Sequence, residues 1–293
     1  MAEHHHHHGH DHTHHSLGAA AAVTIAFALV EALGGWWTGS LALLSDSGHM
    51  LTDAGALMLG ALAAWVARRP PSQRHSYGLG RAEVVAALLN AALMLAIVVA
   101  LAWEAVIRFR QPSPVDGAWA GAIAAAGLAV NLWVLRRLAP HHHDMNTRAA
   151  RLHVLGDVLG SVAALLSGAV IAATGWMPID ALASLAICVL IAVSAFRLMR
   201  ESLHALMEGV PQGLSVDAIG AEMARVQGVV SVHDLHVWTL SGSRIALSAH
   251  VVVRSVGEWD RMLVDLQHRL HEAFGIDHVT LQPESTTRPL VRY

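Results

Sequence analysis

The sequence predicts an α-helical membrane protein of six transmembrane helices followed by a small α+β domain. Three observations carry that reading. The chain of 293 residues is 54% hydrophobic and only 14% charged, far more apolar than an ordinary soluble domain. Its apolar residues gather into runs near twenty residues long, the length that crosses a bilayer core. Beyond about residue 210 those runs give way to short alternating and helical patterns.

Taken in order, the apolar segments cover roughly 17–37, 40–66, 82–108, 116–138, 148–174 and 178–200. "GGWWTGS" turns the chain between the first two, "RFRQPSPVDG" separates the third from the fourth, and "TGWMP" the last two. In the C-terminal part, "SVDAIGAEMARVQG" has helical periodicity, and "VVSVHDLHVWTL" and "SRIALSAHVVV" alternate and are rich in β-formers. "EWDRMLVDLQHRLHEAF" is an amphipathic helix and "DHVTLQPE" a last strand. The order αββαβ suggests helices on one face of a sheet, a ferredoxin-like arrangement. The expected organisation is a histidine-rich disordered tail (1–16), a six-helix membrane domain (17–208), an α+β domain (209–287) and a loose end (288–293).

Arginine orients the spans. All nineteen basic residues are arginine, and the net charge of −3 gives no reason to expect a nucleic-acid partner. Arg68, Arg69, Arg74 and Arg81 lie between the second and third runs. Arg136, Arg137, Arg148 and Arg151 lie between the fourth and fifth. The opposite-side loops hold only Arg108 and Arg110. The richer loops are expected to be cytoplasmic, and with six spans both termini are too. The first fifteen residues are polar and lack arginine, so they do not read as a signal peptide and the first apolar run must direct insertion. The single cysteine, Cys188, excludes an intrachain disulfide.

Two apolar runs carry the same costly pair. "HMLTD" places His49 and Asp53 four residues apart, and "HVLGD" repeats this with His153 and Asp157. That spacing puts both side chains on one helix face. A charged residue at mid-membrane costs about 3 kcal/mol on insertion scales. Two isolated pairs would be structural liabilities, whereas together they offer two imidazoles and two carboxylates, the donor set of a tetrahedral Zn²⁺ site. Two carboxylates and two neutral imidazoles carry −2. A divalent cation, or a proton on each histidine, cancels that charge, so metal and protons can exchange. The small residues Gly48, Ala54, Gly55, Gly60, Gly156, Gly160 and Ser161 flank the ligands and allow close helix approach.

These features together resemble the cation diffusion facilitator family: HxxxD in the second and fifth of six spans, cytoplasmic termini and a C-terminal α+β domain. "HSYGLGRAE" and "HDLHVWTL…SAHV" also match its patterns. The resemblance implies a homodimeric divalent metal/proton antiporter in a bacterial inner (plasma) membrane, zinc being the usual cargo when histidine leads both motifs. It implies a transport site at His49, Asp53, His153 and Asp157. Some members bind metal in the loop between spans two and three. Here His75 is present, but Ser72 and Leu79 stand where the other ligands would be. Some members also join the membrane and cytoplasmic parts by an ion pair, at positions matching Arg81 and Glu208.

Histidines recur outside the membrane runs. His233 and His250 lie in predicted strands and could meet across them, with Glu284 at the end of the last strand joining them. Family members bind regulatory metal at such positions, sometimes with a ligand near Asp277 or His278. Strand periodicity points His236 to the face opposite His233. For His236 and His278 a hydrogen-bonded structural role is expected, and His268 and His271 are expected to be solvated. The tract "MAEHHHHHGHDHTHH" and "HHHD" at 141–144 read as weak metal collectors. An enzyme is disfavoured because no HExxH occurs and four protein ligands would fill the site. A membrane-embedded metal sensor leaves the buried ligands unexplained, and a channel suits a tight four-ligand site poorly. An exporter mainly of Co²⁺, Ni²⁺ or Cd²⁺ is the alternative closest to the zinc reading.

Overall fold

A computed structural model describes residues 11–137, 145–241 and 244–286. The histidine run in the first ten residues, the HHHD tract and the C-terminal end lie outside the described residues, and so do the expectations placed on them. Six long helices come first: α1 (Asp11–Thr38), α2 (Leu41–Ala67), α3 (Ala82–Arg110), α4 (Gly117–Arg137), α5 (Met145–Thr174) and α6 (Pro178–Leu206). Then follow α7 (Val216–Met223), β1 (Val229–Ser241), β2 (Arg244–Val253), α8 (Trp259–Phe274) and β3 (His278–Ser285). The helices fall where the apolar runs lie, except that α1 reaches back to Asp11 and α6 runs on to Leu206. Once a helix is nucleated, each added residue gains a hydrogen bond, so polar flanks extend it readily.

Among the described residues, α2 to α6 each contain a stretch long and apolar enough to cross a membrane, while α1 contributes the shorter apolar segment Ala22–Thr38. The protein is therefore a multi-span helical membrane protein with a C-terminal α/β domain. Leu33, Trp36, Leu57, Met58, Trp103 and Phe196 are exposed, which suits a surface solvated by lipid rather than water.

The chain divides into two compact units. The first comprises residues 1–58 and 89–197. Its core gathers Leu43 of α2, Met94 and Val98 of α3, Ala124 of α4, Ile171 of α5, and Ile187 and Ile191 of α6. Gly39, at φ 76, reverses the chain between α1 and α2. A side chain there would strike the carbonyl of Pro114, so only glycine suits the turn. The start of α2 is capped from a distance. Asp180 of α6 accepts from Ser40 Oγ (2.6 Å) and from the backbone N–H of Leu41 (2.5 Å) and Ala42 (3.4 Å), and Ser167 of α5 also donates to it (3.3 Å). Those amides have no intrahelical acceptor, and the carboxylate also complements the positive end of the helix dipole.

The second unit comprises residues 59–88 and 198–293. Its sheet has the order β1-β2-β3, with β1 and β2 antiparallel and β2 and β3 parallel. Joining parallel neighbours requires a crossover, which α8 supplies. Ile219 and Met223 of α7 and Met262, Leu266 and Leu270 of α8 pack against Val237, Leu247, Ala249 and Val251. The apolar residues of α8 recur at four-residue steps, one face of a helix. Gly275, left-handed at φ 65, ends α8: its N–H reaches the carbonyl of His271, the bond of an αL stop, and the N–H of Ile276 reaches that of Leu270. In the same unit Arg81 Nη2 lies 3.0 Å from Glu208 Oε1, and Glu208 itself is left-handed at φ 59. Both side chains are substantially exposed, so the pair adds less than about 1 kcal/mol and acts by position more than by strength.

Candidate metal centres

The intramembrane cluster is assembled from α2 and α5. His49 and Asp53 stand one turn apart on α2, with Nδ1 of His49 3.3 Å from Oδ2 of Asp53. Asp157 of α5 brings its Oδ1 to 3.7 Å from His49 Nε2. One ligand atom from each of the three lies within 4.8 Å of the others. Asp157 is buried and the other two partly so. His153 lies on α5 four residues before Asp157, but its side chain is outside the described residues. A cavity of about 230 Å³ opens beside the cluster, lined by Asp46, His49, Gly156, Gly160 and residues of α6 that include Ile187 and Ser194. A bare divalent ion fits such a space easily.

Around these residues lies a polar layer of which the sequence reading named only Ser161, and that as a small packing residue. Asn131 of α4 donates to Ser161 Oγ (3.1 Å), which donates in turn to Asp46 Oδ2 (3.0 Å). Asp46 and Glu31 are both fully buried. A side chain at Gly160 would strike Asp46, and one at Gly127 would strike Glu31. Gly160 and Ser161 thus make room for and hold a carboxylate. Gly55, Gly60 and Gly156 have nothing within 4 Å of a notional Cβ, so no close approach among the described residues depends on them. The signal for Glu31, Asp46 and Asp180 was available: each is an acidic residue inside or at the edge of an apolar run, the same anomaly that exposed the HxxxD pairs.

The second cluster sits on the sheet. His233 and His250 are direct cross-strand partners, and their rings stand 5.3 Å apart at 71°. Glu284 of β3 meets both, with Oε2 3.0 Å from His233 Nε2 and Oε1 2.6 Å from His250 Nδ1. All three ligand atoms lie within 4.8 Å of one another. Burial alone would push the Glu284 carboxyl up, but hydrogen bonds and positive charge from His233 and His250 outweigh it and hold the group below the ordinary carboxylate range. Two imidazoles and a carboxylate are a donor set suited to zinc.

The remaining histidines separate from these clusters. The expectation that His236 faces away from His233 is corrected. A β-bulge between the two makes His236 the partner of Ser248, so it shares the face of His233 and His250, because one extra residue resets the strand's alternation. His236 Nε2 lies 3.2 Å from Asp234 Oδ1. His278 opens β3, and its ring stands edge-on to Tyr77 at 5.9 Å. His75 is exposed in the α2–α3 loop, where its backbone pairs with that of Ser72. Neither His75 nor His278 joins a cluster among the described residues. His268 and His271 are exposed and pair with Glu272 and Asp277.

Comparison with known proteins places these features in a family. Residues 17–207 match the cation efflux transmembrane domain, and residues 211–286 the cytoplasmic domain of cation efflux proteins. The chain is 42% identical over 266 residues to the zinc transporter ZitB of Escherichia coli, spanning 89% of this chain and 84% of that protein. It is 37% identical over 265 residues to a cadmium, cobalt and zinc/H⁺-K⁺ antiporter of Bacillus subtilis, spanning 88% and 85%. It is 34% identical over 264 residues to the metal cation efflux system protein CzcD of Cupriavidus metallidurans, spanning 89% and 84%. The chain belongs to the cation efflux, or cation diffusion facilitator, family of membrane metal transporters.

Proposed function

We propose that the protein exports Zn²⁺ from the cytoplasm in exchange for protons, through a site formed by His49, Asp53, His153 and Asp157. The observation that carries this reading is the meeting of His49, Asp53 and Asp157, from two helices, with their ligand atoms within 4.8 Å. Buried carboxylates in lipid need compensation, and either a divalent cation or protonated histidines supply it. Cytoplasmic metal enters while the histidines are neutral, and protons from the far side release it. Names of relatives that include zinc transport and exchange against H⁺ support the same cargo and counter-ion. The arrangement has six spans, α1 included, with both termini in the cytoplasm of a bacterial cell. The C-terminal domain is read as ferredoxin-like and joins two copies as a homodimer. His233, His250 and Glu284 bind regulatory zinc there.

Zinc uptake into proteoliposomes tests the transport site. Asp157→Ala is expected to abolish transport, because losing one carboxylate leaves bound Zn²⁺ with uncompensated charge in a low-dielectric site. Transport at the wild-type rate would remove the site assignment.

A further inference from the structure

His250 is flanked on both ring nitrogens. Nδ1 faces Glu284 at 2.6 Å, and Nε2 faces Asp234 Oδ2 at 3.9 Å. The other oxygen of Asp234 lies 3.2 Å from His236 Nε2. Asp234 reaches this position only because the strand is irregular. It sits at φ 53, at the bulge between His233 and His236. In an unbroken strand it would point to the face opposite His233 and could not approach His250. Aspartate is one of the few residues that adopt the left-handed region readily, and strained backbone of this kind gathers at functional sites.

We infer that Asp234 is the carboxylate partner of His250: it receives the Nε2–H and turns Nδ1 toward the cation shared with His233 and Glu284. This rests on the regulatory-zinc reading above. A neutral imidazole that ligates through Nδ1 carries its hydrogen on Nε2. Metal-bound histidines characteristically give that hydrogen to a carboxylate, which fixes the tautomer and the ring orientation. The gap exceeds a hydrogen bond by about 1 Å, so the proposed bond requires the exposed side chain of Asp234 to turn toward His250 when metal binds. His236 holds the other oxygen. That residue, expected from the sequence to be structural, is one step further from the metal and steadies its neighbour.

The test uses the full-length protein in detergent, with Asp157→Asn in every arm to disable the transport site, titrated calorimetrically with Zn²⁺. The ion lost in His233→Ala/His250→Ala identifies the regulatory site. Asp234→Asn is expected to weaken that ion's binding by about 10- to 100-fold, with the melting temperature of the metal-free protein unchanged, because asparagine tolerates the left-handed region as well as aspartate does. Asp234→Glu is expected to restore most of the affinity; the chain already holds a glutamate, Glu208, at φ 59. If the double histidine variant loses the ion while Asp234→Asn binds it as wild type does, the positioning role is overturned and the site stands. If Asp234→Asn loses a second ion and leaves the first intact, Asp234 is a ligand of a separate cation and the positioning role is again overturned. If the double histidine variant binds as wild type does, the regulatory site itself fails, and the inference with it.

Discussion

Asp180 illustrates how much one side chain can organise in this protein. It receives four donors, two of them backbone amides at the start of the ligand-bearing helix α2. Replacing it by alanine leaves Leu41 and Ala42 without that acceptor in a dry environment. Asp180→Ala is expected to cost about 2–3 kcal/mol, read as a lower melting temperature in detergent, and Asp180→Asn to cost less because one acceptor oxygen survives. At this scale the sequence was only partly legible. The HxxxD pairs announced themselves because two identical anomalies sat at the same spacing. Glu31, Asp46 and Asp180 are equally anomalous but solitary, and their roles depend on partners far along the chain: Ser161 for Asp46, Ser40 for Asp180. No local pattern encodes such pairs.

Among the elements, glycine decides which helices touch. A side chain at Gly168 of α5 would meet the backbone of Gly121 of α4, whereas one at Gly55 of α2 meets nothing within 4 Å. Alanine improves helix propensity at either position by about 1 kcal/mol. Gly168→Ala is nevertheless expected to destabilise the protein by about 1–3 kcal/mol through overpacking, while Gly55→Ala is neutral or slightly stabilising. Melting curves of the two variants check the contrast. Helices α2 to α6 and the order αββαβ were readable from hydropathy and alternation, because those signals are local. The bulge at Asp234 was not, since nothing in "VHDLHV" distinguishes a strand with an inserted residue from a regular one. The error over His236 followed directly, as a one-residue slip reverses every later side chain.

For the whole molecule, the proposed exchange makes a prediction about driving force. In the proposed four-residue site, His153 included, either a divalent metal or a proton on each histidine would balance the two carboxylates, so zinc movement is expected to follow the pH difference across the bilayer. Liposomes acidic on the side that receives zinc are expected to take it up several times faster than liposomes without a gradient, and reversing the gradient should reverse the preference. Zinc flux indifferent to an imposed gradient would end the exchange scheme. The helices that carry this cluster were foreseen. The polar layer behind it, from Asn131 through Ser161 to Asp46, was not, and it ties α4 to the two ligand helices.

The remote cap on α2 also has a meaning for biosynthesis. Leu41 leaves the ribosome 139 residues ahead of Asp180, so during most of synthesis the amides of Leu41 and Ala42 lack the carboxylate that accepts from them in the folded protein. That cap waits until the sixth helix enters the bilayer. A nascent chain arrested before Pro178 lacks the carboxylate that caps the start of α2. The carboxylate that caps α2 thus becomes available only when α6 has been made.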